Sequence, residues 1–274
     1  MESRELTYTN DPVALKAHLV LPENTSAPAP LLITLPGGAW RQSNVQNHRQ
    51  WAQHISKHGY AVLTVQYRVA SAAKKAFPEA LEDVRTATRF VRSHSAELNV
   101  DKDRIGILGT SAGAHLAALA ALAPANLEDQ SPASDMSASD YKLLVGVYGI
   151  YDLFAHWQAD LQNNPSPQGN VTRNFVGADP FEDQKAYHDA SPIRHVTYAK
   201  NKLPVLLAWG TADDAVNSSQ SEAFLKVLQQ ARFDARAHRL VGATHFWFNQ
   251  DPDMPGTDSA WFSPRLLAFL KTHL

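Results

Sequence analysis

The chain has 274 residues and no evident internal duplication, which sets one large domain as the expectation. Hydrophobic residues at 44% and charged residues at 19% exclude a disordered chain, and 25 basic against 27 acidic side chains leave no bulk field to draw nucleic acid or an anionic membrane. Cysteine is absent, which excludes disulfides, thiolate metal sites, iron–sulfur clusters and a thiol nucleophile. No apolar stretch follows Met1–Leu6, and the longest apolar run, Leu116 to Pro124, is too short to span a bilayer. The expectation is a soluble, cytoplasmic protein with no membrane or nucleic-acid partner.

Short apolar runs alternate with longer amphipathic stretches, the pattern of an α/β architecture. Val13 to Leu21 predicts an early strand. Leu31 to Leu35 predicts a buried strand closed by Pro36-Gly37-Gly38, followed by a helix from Asn44 to His58 that stops at Gly59. Ala61 to Val65 is the next strand. After Phe77-Pro78-Glu79, apolar positions Ala80, Leu81, Val84, Ala87, Phe90 and Val91 recur at three and four residues, which predicts a helix. Arg104 to Leu108 predicts a strand that runs through Gly109–Gly113 into an Ala/Leu-rich helix ending at Ala123. Leu143–Tyr148 and Leu203–Trp209 predict strands, Ser219–Ala231 a helix, Ala235–Val241 a last strand and Pro264–Leu274 a last helix.

Two segments break the alternation. Pro124 to Asp140 is polar and rich in Ser, Ala and Asp, and reads as a surface loop. Phe154 to Ala190 carries Asn163-Asn164-Pro165-Ser166-Pro167, Gly169 and Gly177 among scattered aromatics; it reads as a lid-like insertion within the one domain. Its Trp157, Phe175, Phe181 and Tyr187, with Trp247 further on, either line an aromatic-accepting pocket or anchor the insertion to the body.

Gly109-Thr110-Ser111-Ala112-Gly113 fits G-x-S-x-G between a strand and a helix. Glycine on either side makes room for a Ser on a tight turn, and the positive end of the following helix faces any charge that develops beside the hydroxyl. A Ser nucleophile needs a base and the base an orienter. The loop after Trp209, Gly210-Thr211-Ala212-Asp213-Asp214, offers carboxylates at a strand end, where such a sheet gathers its sites. Of the 12 histidines, His245 in Gly242-Ala243-Thr244-His245 is the one beyond the elbow helix that sits on a strand-end loop. His115 lies one turn down the elbow helix and reads as packing. Small residues at Pro36-Gly37-Gly38-Ala39-Trp40 let backbone N–H groups approach a ligand, so Gly38, Ala39 and Ala112 are the candidate oxyanion donors.

These motifs, with Val65-Gln66-Tyr67-Arg68, Phe77-Pro78-Glu79-Ala80-Leu81-Glu82-Asp83 and Ala190-Ser191-Pro192, resemble an α/β-hydrolase of the carboxylesterase type. The similarity is to the feruloyl/acetyl-xylan esterase-like branch related to the hormone-sensitive-lipase-like esterases, and it runs from about Pro30 to His245. The resemblance implies a mostly parallel central sheet flanked by helices, a Ser111–His245–Asp213 triad with Asp213 chosen over Asp214, and no metal or organic cofactor. It implies a small-molecule ester as substrate, short-chain or aromatic, cleaved through an acyl-enzyme. An arylformamidase-like amide hydrolase is the alternative; a serine peptidase and a non-catalytic binding protein on the same fold stand behind it. Pro36 occupies the position where many relatives carry His. With about 30 residues ahead of the glycine loop, covering the site falls to the 154–190 insertion.

Overall fold

The apolar runs assemble into one sheet. Its strands are β1 (Glu2–Thr9), β2 (Leu15–Leu21), β3 (Ala29–Leu35), β4 (Ala61–Val65), β5 (Val100–Thr110), β6 (Leu144–Val147), β7 (Val205–Gly210) and β8 (Ala235–Leu240). In this computed structural model, which describes residues 2–23, 27–127, 141–163, 166 and 169–274, they lie in the order β1-β2-β4-β3-β5-β6-β7-β8. β2 runs antiparallel to both β1 and β4, and every other pairing is parallel. The strands β4, β6 and β7 are buried at every residue, as parallel strands covered on both faces must be.

The helices are α1 (Arg49–Ser56), α2 (Glu79–Ser93), α3 (Ser95–Leu98), α4 (Ala112–Leu122), α5 (Leu153–Asn163), α6 (Val171–Val176), α7 (Gln184–Asp189), α8 (Ser219–Gln230) and α9 (Asp258–His273). Among the described residues, none is long and apolar enough to cross a membrane. α4 is buried at ten of its positions, from Ala112 to Leu122 apart from Ala120, which accounts for a sequence apolar but for His115. The 154–190 segment supplies α5, α6 and α7. Residues 128–140 of the expected surface loop, and 164, 165 and 167 of the turn-rich stretch, lie outside the described residues.

Three differences from the sequence reading have physical causes. β1 carries no apolar run because it is an edge strand; its pairing with β2, Glu2↔Leu21 to Thr9↔Leu15, needs one apolar face only, supplied by Leu6 and buried Tyr8. The helix expected over 44–58 is split into a 3₁₀ turn, Val45–His48, and α1. The last helix begins at Asp258, six residues before Pro264, because Thr257 caps it through a bond to the Ala260 N–H, leaving Pro264 inside the helix.

The order 4-3-5 makes the edge between β3 and β5 the switch point of the sheet, where connections diverge and a crevice opens at the strand ends. Leu35 pairs with Gly109 there, so two motifs some 73 residues apart emerge side by side. The resemblance motifs at 65–68 and 77–83 find a structural role. Asp83, 4% exposed, accepts the Arg68 backbone N–H at 2.8 Å and its guanidinium at 2.7 Å, fastening the end of β4 to α2. Arg68 also donates to the Glu79 carbonyl at 3.1 Å. Asp83→Ala leaves this half-sequestered cation unpaired and should cost about 3 kcal/mol in urea unfolding. Glu82→Ala, which removes the solvent-facing Arg89–Glu82 pair, should cost below about 1 kcal/mol; equal losses would contradict the assignment.

Candidate active site

β5 ends at Thr110, and Ser111 turns the chain into α4 with φ +53°, a conformation that L-residues avoid. Its surroundings enforce it. The Ser111 N–H donates to the Val147 carbonyl at 2.9 Å, and its carbonyl accepts from Ala114 and His115. The flanking glycines are obligatory, since a Cβ on Gly109 would strike the Gly113 carbonyl and one on Gly113 the Leu35 carbonyl.

β8 leads through Gly242 to His245, which opens a short 3₁₀ turn, His245–Asn249. Its Nε2 lies 3.0 Å from the Ser111 hydroxyl and its Nδ1 2.8 Å from Asp213 Oδ2. The imidazole is buried between the rings of Tyr148, 4.5 Å away, and Phe246, 4.8 Å away. Asp213 uses its other oxygen to accept the N–H groups of Ala215 and Val216 at 3.0 and 2.8 Å, so both oxygens are oriented. Asp213 thus shapes its own turn, and Asp214 beside it is exposed. The two loops are joined through backbone: Ala212 donates to the Ala243 carbonyl at 3.1 Å, Thr211 to Leu240 at 3.0 Å, and Gly242 to the Thr211 hydroxyl at 2.9 Å.

The loop after β3 reaches the same point. Gly38, Ala39 and Trp40 have φ of +149°, +52° and +55° in succession. The Gly38 carbonyl accepts from Arg41 and Gln42, Gly37 donates to the Thr110 hydroxyl at 2.9 Å, and Trp40 accepts from Ala70 at 2.7 Å. Among the described residues, no protein acceptor takes the N–H of Gly38, Ala39 or Ala112. Pro36 presents its carbonyl to the buried Tyr67 hydroxyl at 2.6 Å.

Ser111 and His245 lie in a cavity of about 450 Å³ whose walls include Gly38, Ala39, Ile150, Val216 and Phe246. The insertion contributes His156, Asp160 and Val171. None of Trp157, Phe175, Phe181, Tyr187 and Trp247 lines it: Phe175 is fully buried against Trp40, Tyr187 donates to the Ala178 carbonyl, Trp247 packs on Phe262, and Phe181 faces solvent. The anchoring reading holds for Phe175, which joins the insertion to Trp40 and Phe77 of the body.

Sequence reasoning missed His48, Thr110, His156 and Asp160. Thr110 bears a hydroxyl shared by Gly37 and His48 Nε2, 3.1 Å away, and only its place inside the elbow motif could have flagged it. Burial lowers His48 to about 3, so it stays neutral. His156 and Asp160 are four apart on α5, and burial, opposed by Asp160, lowers His156.

A second Ser–His–Asp chain lies elsewhere: His54 sits 2.6 Å from Asp253 and 2.6 Å from the Ser263 hydroxyl. Ser263 is buried in α9 and does not line the cavity that holds Ser111, and Asp253 is also held by Lys57 at 2.6 Å. It fastens α1 to α9. Distances alone therefore do not make a reactive site; the cavity and the N–H donors set Ser111 apart.

The chain resembles known esterases in sequence and in fold. The chain is 29% identical over 248 residues to Esterase LipC of Mycobacterium tuberculosis, covering 88% of this chain and 59% of LipC. It is 31% identical over 208 residues to Esterase LipQ of the same organism, covering 74% of this chain and 46% of LipQ. The chain thus spans about half the length of the curated relatives it matches. Among solved structures, an acetyl ester-xyloside bifunctional hydrolase from Caldicellulosiruptor lactoaceticus superposes with a TM-score of 0.76 at 21% identity, over 98% of this chain and 96% of that one. Esterase 2 of Thermogutta terrifontis gives 0.74 at 21% identity, over 97% and 90%. At such identities the likeness establishes the α/β-hydrolase fold. The BD-FAE family profile matches residues 18–228, more than half of the chain, and the chain belongs to the BD-FAE family.

Proposed function

We propose that this chain hydrolyses carboxylic esters with Ser111 as nucleophile, His245 as base and Asp213 as orienter. The observation that carries the reading is the unbroken Asp213–His245–Ser111 hydrogen-bond chain beside a cavity that Gly38 and Ala39 also line. With Asp213 accepting from Nδ1, the lone pair of Nε2 faces the hydroxyl and takes its proton as Oγ attacks the acyl carbon. The resulting oxyanion meets the N–H groups of Gly38, Ala39 and Ala112, at the positive end of α4. His245 then protonates the leaving alcohol, and water releases the acyl group by the same route.

The cavity, about 450 Å³, is of the size that takes a small molecule, which supports a short-chain or aromatic ester. The α5–α6 segment supplies one wall and acts as the cover. The names of the esterase relatives support an ester over an amide substrate. Assay of p-nitrophenyl esters from acetate to decanoate beside N-formyl-kynurenine tests both statements. Turnover should peak among the short acyl chains, and faster formamide turnover would overturn the ester reading.

Ser111→Ala should lower kcat by roughly 10⁶-fold, the scale of triad knockouts, while unfolding barely changes. Ser263→Ala should keep full activity and lose stability, and a fluorophosphonate should label the parent once, at Ser111. Label on Ser263, or substantial turnover by Ser111→Ala, would refute the site.

Asp213→Asn should cost on the order of 10⁴ in kcat, because the His tautomer is no longer fixed. Asp214→Asn, altering an exposed side chain, should stay within about threefold of the parent. Side-by-side kinetics with one short-chain ester decide the matter, and a crippled Asp214→Asn would shift the triad by one residue.

A further inference from the structure

His115, absent from the cavity wall, holds two elements together. Its ring is fully buried one turn into α4, edge-on to Trp40 at 5.1 Å and to Phe175 at 5.2 Å, while Trp40 and Phe175 stack at 4.7 Å. The Trp40 indole N–H donates to His115 Nδ1 at 3.1 Å, which leaves the proton on Nε2, and Nε2 donates to the Ala190 carbonyl at 2.7 Å. One neutral tautomer satisfies both partners. Burial lowers its pKa to about 3, so the arrangement is unchanged across any assay range.

Three elements therefore converge on one imidazole: the elbow helix that carries it, the glycine loop through Trp40, and the end of the insertion through Ala190, with Phe175 of α6 as the fourth wall. The glycine loop needs such a brace. Ala39 and Trp40 both hold positive φ without being glycine, and such a backbone persists only when its surroundings over-determine it. The bonds of Trp40 reach out in two directions, its carbonyl to Ala70 and its indole to His115.

We propose that His115 and Trp40 are positioning residues for the oxyanion hole, and that through them the insertion holds the Gly38–Ala39 backbone in its donating conformation. The inference rests on the esterase reading above and extends it: the insertion covers the site and also sets the geometry of the hole, although it contributes no donor to it. Donors aimed in advance at the developing charge act on the transition state and little on the bound ester. Loosening them lowers kcat and leaves KM nearly unchanged.

The test is kinetic, on the full chain, with active sites counted by fluorophosphonate labelling of Ser111. His115→Phe keeps the ring and removes both hydrogen bonds; Trp40→Phe keeps the stack on Phe175 and removes the indole donor. For each, kcat per labelled site should fall by about tenfold or more, with KM within about threefold and the pH profile unmoved. Inhibition by a trifluoromethyl ketone, which forms an oxyanion on the enzyme, should weaken in step with kcat/KM. The double variant should be no slower than the worse single one, because both changes cut the same brace. A merely structural role would reduce the labelled fraction or the melting temperature and leave kcat per site at the parent value. That result, a change in KM alone, or independent multiplicative losses would overturn the proposal. If His115→Phe does not fold, Trp40→Phe with His115→Gln decides by the same measures. Loss of labelling at Ser111 in the parent, or an active Ser111→Ala, would instead strike the esterase reading itself.

Discussion

The structure turns on one backbone constraint: Ser111 must occupy a positive-φ turn between a buried strand and a buried helix. The strain is of order 1–3 kcal/mol and has no local relief. It is sustained by close approach. Gly109 and Gly113 bring α4 down against the strand, and Gly113 sits beneath the Leu35 carbonyl, so elbow and glycine loop are packed backbone to backbone. Because β3 and β5 are neighbours at the switch point, this contact is built into the sheet order.

The same economy governs the other half of the rim. Asp213 and His245 leave adjacent strands β7 and β8, and the loops that carry them are cross-linked through Ala212, Ala243, Thr211 and Gly242. Gly210 allows the Ala243 carbonyl to approach where any Cβ would collide. The imidazole position thus depends on main chain more than on side-chain packing, and Asp213 is fixed by its own turn before it reaches His245.

Much of this was legible in the residues because the relevant signals are local. Apolar runs bounded by Gly and Pro marked β3 to β7, and G-x-S-x-G is read from five consecutive positions. What stayed illegible depends on long-range partners. β1 has no apolar run, since only one of its faces needs covering, and Thr257 as a cap is no different in sequence from any other Thr. His156 and Asp160 look like surface helix positions until α5 folds over the cavity. His115 was read as packing from its place in the helix; its two bonds, to residues 75 positions away on either side, could not be inferred from spacing. The Asp253–His54–Ser263 chain shows the converse, a constellation with suitable distances and nothing to react with.

The rim of the cavity is therefore divided. Its β7–β8 side is cross-linked main chain, whereas the opposite wall is borrowed from the crossover between β6 and β7. Such a division makes the crossover the natural place for a designer to graft. The graft has terms, however. A replacement for residues 153–190 must return an aromatic face where Phe175 meets Trp40 and a carbonyl where Ala190 meets His115. A segment that offers both can be exchanged as a cartridge; one that offers neither leaves Trp40 and His115 without these partners.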